Sequence, residues 1–336
     1  MRSDAVGPQR VPIIVIPCLN EAQHIEGLAQ QMVAEVAPFG GRVIIADGGS
    51  DDGTVEIAAE LERQHPSITL MHNAARLQSS GINEAVAAYG GGFTDLIRID
   101  AHGAYPDGYI STLLEEAEAT GAASIVVGMV ASGDHLLQRI NAATQNSKLG
   151  NGGSKHRQRG SGQFVEHGHH ALMRMDAFQS VGGYDPTFSH NEDAELDHRL
   201  VEAGHRIWLT NRTEVTYFPR RDLSSLARQY YNYGRGRARN QLKHGTWPKL
   251  RQAIVILIAP LVALAALAPL HWLFILPVLV WSAAACMAGV KLAFSNRSLA
   301  LLLAGPIAML MHFAWSTGFW TMVARSGMTS RKAVAG

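Results

Sequence analysis

The sequence predicts an α/β fold with a Rossmann-like, mixed and mostly parallel sheet, followed by an α-helical membrane domain. Apolar runs of strand length end in polar turns at residues 17–21, 47–54 and 100–102, and helix-like segments follow the first two turns. The third observation is a nearly uncharged segment at residues 252–324. Because parallel strands point their carboxyl ends to one edge of a sheet, we expect the three turns to form one ligand site.

The first polar turn follows an apolar run at residues 11–16, which we expect to be a buried strand. Pro17 is expected to end this strand, and an amphipathic helix containing Ile25, Leu28 and Met32 should follow. The polar groups of the turn can then face a ligand. Alternatively, Asn20 only caps the following helix.

The second turn, Asp47-Gly48-Gly49-Ser50-Asp51-Asp52-Gly53-Thr54, is the most informative stretch of the chain. It lies between an apolar run at residues 43–46 and a helix-like segment at residues 55–63. Its glycines leave room for a ligand to approach the backbone, and its carboxylates can accept hydrogen bonds. Alternatively, Asp47 only closes the turn.

The third turn, Asp100-Ala101-His102, is joined by a second acidic cluster at residues 191–195. This cluster opens a segment in which Leu196 and Leu200 share a helix face, and Gly204 is typical of a helix end. A carboxylate at a helix N-terminus stays ionised and ready to accept a proton. Acidic first turns are also ordinary helix stabilisers, so position alone leaves both interpretations open.

In this order, the motifs resemble those of the GT-A family 2 glycosyltransferases over roughly residues 10–245. The membrane-bound succinoglycan-biosynthesis glucosyltransferases are the most similar, on Arg98-Ile99-Asp100-Ala101-His102 and Asn191-Glu192-Asp193-Ala194-Glu195-Leu196. The resemblance implies a GT-A catalytic domain at residues 11–220 that transfers a sugar from a nucleotide diphosphate. It also implies inversion at the anomeric carbon.

The resemblance implies that Pro17, Asn20, Glu21 and Asp47 bind the donor nucleotide and that Asp100 lies at its diphosphate. Residue type and position add four further candidates for donor contact: Gly49, Asp52, Arg76 and Gly81. Arg76 and Gly81 belong to the stretch at residues 73–83, which is rich in small residues and precedes a helix. Arg76 could equally be a solvated loop cation.

Asp100 and His102 occupy the position of the family's Asp-x-Asp motif, which holds Mg²⁺ or Mn²⁺ across the two phosphates. An imidazole in the second ligand position favours Mn²⁺. Alternatively, Asp100 only caps and His102 only packs. By the same resemblance, Asp193 is the catalytic base that takes the proton of the acceptor hydroxyl.

Acceptor contacts are expected from Glu192, His169, His170 and Tyr233. The two histidines follow a polar, glycine-rich segment at residues 150–162, which we expect to be a mobile loop beside the site. That segment carries Lys155, Arg157 and Arg159. A zinc site at His167, His169 and His170 is disfavoured, because no thiol or carboxylate stands at the usual spacing, and packing is the alternative to acceptor contact.

A basic segment at residues 221–251 is expected to form amphipathic helices at the membrane interface. Residues 229–239 stand where processive relatives have a Gln-x-x-Arg-Trp motif, but no tryptophan follows an arginine here, which favours one sugar per catalytic event. Arg235 and Arg237 could neutralise the diphosphate, and Tyr230 and Tyr233 could lie against lipid or sugar. Alternatively, the segment is simply attracted to anionic headgroups.

Composition separates the chain into two parts. It has 336 residues, of which 47% are hydrophobic and 17% charged, and residues 252–324 contain Lys291 and Arg297 as their only charged side chains. Three apolar stretches at residues 253–269, 272–290 and 299–323 are each near the ~20 residues that span a bilayer. A second soluble core is the alternative, but these stretches lack a polar face. They are expected to be transmembrane or re-entrant.

The charges around these stretches predict a multi-pass protein of the bacterial inner membrane with a cytoplasmic active site. Basic residues precede the first span: Arg220, Arg221, Arg228, Arg235, Arg237, Arg239, Lys243, Lys249 and Arg251. An odd number of spans would place the polar tail at residues 325–336 outside, so two spans plus a re-entrant segment stay possible. The polar N-terminus, residues 1–10, is expected to be flexible and has no signal-peptide core.

The expected function is an inverting, metal-dependent glycosyltransferase that moves glucose from UDP-glucose to a saccharide on polyprenyl diphosphate in exopolysaccharide biosynthesis. Transfer to polyprenyl phosphate is the enzymatic alternative, and a non-catalytic membrane regulator that binds nucleotide sugars is another. The two cysteines, Cys18 and Cys286, cannot plausibly pair, which is consistent with a reducing cytosol. A net charge of +1 argues against a nucleic-acid partner.

Overall fold

The computed structural model describes residues 9–153 and 162–334, with side chains described up to residue 327. Within them the chain forms two compact units, one of residues 9–129 and 162–216 and one of residues 130–153 and 217–334. The catalytic domain expected at residues 11–220 is therefore discontinuous, because residues 130–153 group with the C-terminal helices. The expected mobile-loop residues Lys155, Arg157 and Arg159 lie outside the described residues.

The first unit is built on a mixed sheet, parallel on one side and antiparallel on the other. Its strands are β1 (Pro12–Cys18), β2 (Arg42–Asp47), β3 (Ile68–His72), β4 (Asp95–Arg98), β5 (Gly103–Ala104), β6 (Ser124–Ala131), β7 (Gln163–Val165), β8 (His169–Arg174) and β9 (Ile207–Tyr217). They are ordered β3-β2-β1-β4-β8-β6-β9-β5, with β7 paired to β9. Strands β3, β2, β1 and β4 are parallel, whereas β8 runs antiparallel to β4 and β6. The predicted fold class is confirmed.

Helices cover both faces of this sheet. They are α1 (Ile25–Val36), α2 (Thr54–Gln64), α3 (Gln78–Tyr89), α4 (Tyr109–Thr120), α7 (Met175–Ser180) and α8 (Glu192–Glu202), while α5 (Leu136–Asn146) and α6 (Lys148–Asn151) belong to the second unit. Alternation along β1 divides the core: Ile14 and Ile16 pack with α1, α2 and α4, whereas Ile13 and Val15 pack with α3, α7 and α8.

The register of β1 brings the polar turns together. Cys18 is paired with Asp47 on β2, and Val15 with Arg98 on β4, so three strand ends lie side by side. The expectation that Pro17 ends the first strand is wrong, because pairing with β2 continues to Cys18. Pairing with β4 ends at Val15, so the missing N–H of Pro17 falls where β1 has one neighbouring strand and removes no ladder bond.

Helix α8 begins at the acidic cluster, as the sequence predicts. It is helical from Glu192, and the Glu195 N–H donates to the Asn191 carbonyl. Leu196 and Leu200 are fully buried on one face, and Gly204 follows the helix with a φ of +84°. The acidic residues therefore lie in the first turn of the helix.

The second unit is helical. Its remaining helices are α9 (Leu223–His244), α10 (Leu250–Ile256), α11 (Ile258–Leu264), α12 (Leu276–Ser295) and α13 (Ala304–Val334), with 3-10 turns at Ala265–Leu267, Trp272–Ile275 and Leu299–Leu303. Three segments are long and apolar enough to cross a bilayer: Leu250–Leu267, Trp272–Ser295 and Leu299–Gly327. They correspond to the three apolar stretches found in the sequence.

The first apolar segment is interrupted by Pro260, and α13 supplies the hydrogen bonds that the interruption would remove. Proline cannot donate to the Ile256 carbonyl four residues earlier. That carbonyl instead accepts from Ser316 Oγ at 2.8 Å and from Trp320 Nε1 at 2.8 Å, and Ser316 Oγ accepts from the Ala259 N–H at 2.9 Å. Backbone polar groups in an apolar environment need such partners, so α13 stabilises the break.

We expect Ser316→Ala to lower the free energy of unfolding by about 1 kcal/mol, because the buried Ala259 N–H loses its acceptor and Ile256 loses one of two donors. Unfolding in detergent, followed by circular dichroism, measures the change. Thr317→Ala is the matched control, since Thr317 Oγ1 donates only within its own helix, to Phe313. Equal stability of the two variants would contradict the role given to Ser316.

Candidate active site

The first two polar turns are hydrogen-bonded to each other. Asn20, at a φ of +59°, donates its N–H to Ser50 Oγ at 2.8 Å and accepts from the Asp51 N–H through Oδ1 at 3.0 Å. The alternative role of Asn20 as a helix cap is wrong, because α1 has no side-chain cap and Asn20 bridges the turns instead. This bridging leaves the turns in one arrangement before any ligand arrives.

Two carboxylates of the second turn accept hydrogen bonds that fix the shape of the turn. Asp47 is buried and accepts from the N–H groups of Gly49 at 2.7 Å and Ser50 at 3.0 Å, so in this structure it closes the turn. Asp52 accepts from the Thr54 side chain and from the Ala22 N–H at 3.1 Å. The Thr54 hydrogen bond is the main cause that lowers the pKa of Asp52. Both residues thus shape the turns at which nucleotide contacts were expected.

Gly81 does not face a ligand. It is buried in α3, and a Cβ on it would lie 2.7 Å from Asn73 Nδ2 and 3.4 Å from the Ala46 Cβ, so the glycine permits close packing of the helix. Its expected contact with the nucleotide is therefore corrected. Arg76 is exposed at a φ of +56°, and its guanidinium lies over Gly49, where a Cβ would come within 3.0 Å of Nη2. Arg76 can therefore reach an anion bound at Gly49.

Asp100 is oriented by three neighbours. Its Oδ1 accepts from Gln78 Nε2 at 2.7 Å and from Arg98 Nε at 3.1 Å, and its backbone N–H donates to the Tyr105 hydroxyl at 2.7 Å. Burial raises the pKa of Asp100, but the charges of Arg98, His169 and His102 together outweigh burial and hold the pKa well below its usual range. The carboxylate is therefore ionised and available to a cation.

Arg98 joins the third turn to the acidic cluster. Its side chain is 5% exposed, its Nη1 donates to Asp193 Oδ1, and the same atom lies 3.7 Å from Glu192 Oε1. Sequence reasoning did not assign Arg98 to the site. The available signal was its position two residues before Asp100, as the one charged side chain in the apolar run at residues 96–99. A charge there needs a buried partner.

Glu192 and Asp193 differ in pKa although they are adjacent. Burial first and then the Asp193 charge raise the pKa of Glu192 to about 7. Burial also raises the pKa of Asp193, but Arg98, His170 and His169 outweigh it, so the pKa of Asp193 is lowered. One ionised carboxylate therefore lies beside a carboxyl group that holds its proton up to about neutral pH.

The three histidines have separate positions. His169 lies between the two acidic regions, with Nε2 3.6 Å from Asp100 Oδ2 and Nδ1 3.7 Å from Asp193 Oδ2, so acceptor contact stays open for it. His170 is fully buried between the Tyr184 hydroxyl and Asp197, which excludes the acceptor contact that was expected of it. His167 hydrogen-bonds the same Asp197 at 2.9 Å. No carboxylate stands at the usual ligand spacing from these histidines in the sequence, but Asp197 of α8 bonds two of them in the structure.

Asp100 and His102 have the donor chemistry that a divalent cation needs. Asp100 offers an ionised oxygen, and the half-exposed imidazole of His102 lies near enough to lower the Asp100 pKa. His102 Nδ1 lies 3.1 Å from Glu21 Oε1, which brings a second carboxylate from the first turn. Mixed oxygen and nitrogen ligands suit Mn²⁺, and diphosphate oxygens commonly complete such sites.

Arg235, Arg237 and Tyr233 lie on α9 in the second unit. The Tyr233 hydroxyl accepts from Gln229 Nε2 at 3.0 Å, and the Arg235 guanidinium lies 5.9 Å from the centre of the Tyr231 ring. Burial and the neighbouring charge of Arg251 lower the pKa of Arg237 to about 10. These contacts are all within the second unit, and the expected contacts with the donor or acceptor stay predictions.

A mixed sheet with acidic turns at its strand ends and an ionised carboxylate at a nearby helix N-terminus defines a GT-A-type glycosyltransferase. Residues 13–182 match the family model described as glycosyl transferase family 2. The chain belongs to glycosyltransferase family 2. It is 53% identical over 308 residues to the succinoglycan biosynthesis protein ExoA of Rhizobium meliloti (strain 1021), covering 92% of this chain and 93% of that protein.

One more distant relative and one solved structure are also similar to this chain. One is the dolichyl N-acetyl-α-D-glucosaminyl phosphate 3-β-D-2,3-diacetamido-2,3-dideoxy-β-D-glucuronosyltransferase of Methanococcus voltae, 23% identical over 66% of this chain and 71% of that one. The other is the mannosyltransferase PcManGT from Pyrobaculum calidifontis, solved with GDP-Man and Mn²⁺. That structure superposes with a TM-score of 0.58 at 18% identity over 93% of this chain and 87% of that chain, which shows the shared fold.

We expect Arg98→Met to lower the free energy of unfolding by about 3–5 kcal/mol, because it leaves three partly buried carboxylates without their shared cation. Chemical unfolding at neutral pH measures the loss. Arg212→Met is the control, since Arg212 pairs with Glu115 on the exposed surface and should change little. Similar losses in both variants would contradict a central role for Arg98.

Glu192→Gln should stabilise the protein above neutral pH. Between the usual pKa of 4.5 and about 7, the folded protein keeps a proton that the unfolded chain has released, so wild-type stability falls as pH rises, and the full loss is present above about 7. Glutamine removes this dependence. Thermal unfolding should show the variant more stable than wild type at pH 8 and equal to it at pH 4. The exposed Glu118→Gln should show no such pH-dependent difference.

Proposed function

We propose that this glycosyltransferase transfers glucose from UDP-glucose, with inversion, to a saccharide carried on polyprenyl diphosphate, in exopolysaccharide biosynthesis. The observation that carries the mechanism is the ionised, largely buried carboxylate of Asp193, held by Arg98 close to Asp100. The similarity to the succinoglycan biosynthesis protein supports the biosynthetic role. The name of the Methanococcus relative, which describes an acceptor sugar on dolichyl phosphate, supports a lipid-linked acceptor.

Asp193 serves as the base. The acceptor hydroxyl oxygen attacks the anomeric carbon and its proton passes to the Asp193 carboxylate, while the bond from that carbon to the diphosphate oxygen breaks and its electron pair leaves with UDP. Attack opposite the leaving group inverts the anomeric configuration. Arg98 keeps Asp193 in its ionised form, because the ion pair favours the charged carboxylate.

The diphosphate is placed on the Asp100 side of the site. Asp100 and His102 would hold Mn²⁺ or Mg²⁺, which when bound would supply positive charge to the departing diphosphate. Arg76, which lies over Gly49, is positioned to meet a phosphate oxygen, and the bridged turns at Asn20 and Asp52 form the rest of the nucleotide side.

The membrane segments suit a lipid-linked acceptor. Three apolar helices follow a basic helix, α9, which is the pattern of an inner-membrane protein whose catalytic unit is cytoplasmic. A saccharide on polyprenyl diphosphate lies at the headgroup level of such a membrane. The lack of tryptophan after the arginines of α9 favours one sugar per catalytic event.

The test compares membranes that contain wild type or Asp193→Asn. Radiolabelled UDP-glucose, Mn²⁺ and a bacterial lipid extract are added, and label in the lipid phase is measured. We expect the variant to lose at least about 10²-fold in rate, the lower bound for a lost general base. Asp176→Asn, which removes an exposed carboxylate paired with Arg174, should retain wild-type activity.

The outcomes separate the alternatives. Equal label from wild type and Asp193→Asn would contradict the base and indicate polyprenyl phosphate as acceptor, because a phosphate oxygen is already an anion. Label that persists after chelation with EDTA would contradict the metal. The absence of transfer from every nucleotide sugar tested, together with retained donor binding, would favour a non-catalytic regulator.

A further inference from the structure

A buried pair of side chains, His170 and Asp197, lies behind the proposed base and has no part in the mechanism above. His170 Nε2 lies 2.7 Å from Asp197 Oδ1, and its Nδ1 lies 2.6 Å from the Tyr184 hydroxyl and 3.5 Å from Asp193 Oδ1. The side chains of His170 and Asp197 are both 0% exposed. The ring therefore connects two carboxylates of α8, one buried and one facing the site.

The helix explains this geometry. Asp193 and Asp197 are four residues apart, so their side chains lie on the same face of α8, and that face meets His170 on β8. Asp197 is also held by the Gly168 N–H at 3.1 Å and by His167 Nδ1 at 2.9 Å. Three donors thus converge on a carboxylate that no solvent reaches.

Electrostatics favours an ionised pair. Burial raises the pKa of Asp197, but the charge of His170 and the hydrogen bonds from His167 and His170 bring it to about 2. Burial lowers the pKa of His170, yet the Asp197 and Asp193 carboxylates outweigh it and raise the pKa above its usual value. The groups that face the ring are Arg98 on β4, Tyr184, and Asp193 and Asp197 on α8, with His169 as its neighbour on β8.

Arg98 is one cation that faces three carboxyl groups. It contacts Asp100 and Asp193 and lies near Glu192, so its single charge is divided among groups that repel one another. A second cation beside Asp193 would favour the ionised carboxylate, and the ring of His170, whose Nδ1 hydrogen-bonds the Tyr184 hydroxyl, lies 3.5 Å from Asp193 Oδ1.

We propose that His170, held as an imidazolium by Asp197, is a positioning residue that keeps Asp193 ionised and oriented to accept the proton. The proposal rests on the role of Asp193 as base. His170 acts through Asp193 and does not touch the acceptor. The Asp197 carboxylate supplies the charge that makes the buried imidazolium possible, so removing either member should have the same effect on Asp193.

The test is the pH dependence of kcat/KM for sugar transfer by the full-length membrane protein. Asp197→Asn removes the anion that holds the imidazolium, and His170→Asn keeps a neutral donor near the position of Nδ1 without the charge. We expect both variants to move the acid limb of the profile toward neutral pH by about one unit, which is a tenfold loss at pH values on that limb. KM for UDP-glucose should change little, because neither residue contacts the donor side.

His205→Asn is the matched control. His205 lies in the same unit and bonds Ser180 near the surface, so its profile should superimpose on that of wild type. A loss of activity that is the same at every pH in Asp197→Asn and His170→Asn would indicate a merely structural role and overturn the proposal. So would an unchanged profile in both variants.

Asp193→Asn is measured in the same series so that the two proposals can fail separately. If Asp193→Asn is inactive and the acid limb does not move in the other variants, only the inference about His170 is wrong. If Asp193→Asn is active, the base itself is wrong. Should both buried variants fail to fold, nitrogen NMR of wild type labelled at its 15 histidines still decides: His170 should keep its imidazolium form to a higher pH than a free histidine does, and a neutral His170 ring at the pH where a free histidine is half-protonated would overturn the proposal.

Discussion

The structure of the site depends on one buried guanidinium. Arg98 lies among Asp100, Glu192 and Asp193, which come from a strand end and from the first turn of α8. Without a cation, three carboxylates could not approach one another in a poorly solvated place, because each loses hydration and repels the others. The ion pairs therefore bring the strand end at Asp100 and the first turn of α8 together. Glu192 is the least favoured of the three as an anion, because burial and then the Asp193 charge raise its pKa.

A second constraint acts on the polar turns: their side chains form hydrogen bonds with the backbone of the same or the neighbouring turn. Asn20, Asp47 and Asp52 were expected to bind nucleotide, yet in the structure each spends side-chain oxygens on neighbouring backbone N–H groups. These hydrogen bonds occupy oxygens that could otherwise bind a ligand, and they make the turns rigid. A donor that arrives at this edge of the sheet meets preformed backbone and the Arg76 guanidinium, so less conformational entropy is lost on binding.

In the second unit, side-chain hydrogen bonds stabilise a break in an apolar helix. Its apolar helices have few polar groups, and the break at Pro260 leaves the Ile256 carbonyl and the Ala259 N–H in need of partners. Ser316 and Trp320, both on α13, provide them. In both units, therefore, the polar groups removed from water are satisfied by side chains far away in the sequence, which is the general requirement for buried polar groups.

The sequence by itself determined the first strands and helices, the order of the three turns and the apolar segments, because period and local turn chemistry are properties of neighbouring residues. Resemblance to a family added the roles expected of Asp100, His102 and Asp193. The sequence misplaced the end of β1, where pairing with β2 extended the strand beyond its apolar run. Only the tertiary structure decided the roles of Arg98, His170 and Gly81. Arg98 meets a carboxylate 95 residues away and His170 one 27 residues away, and no local pattern encodes which distant groups will share a buried volume.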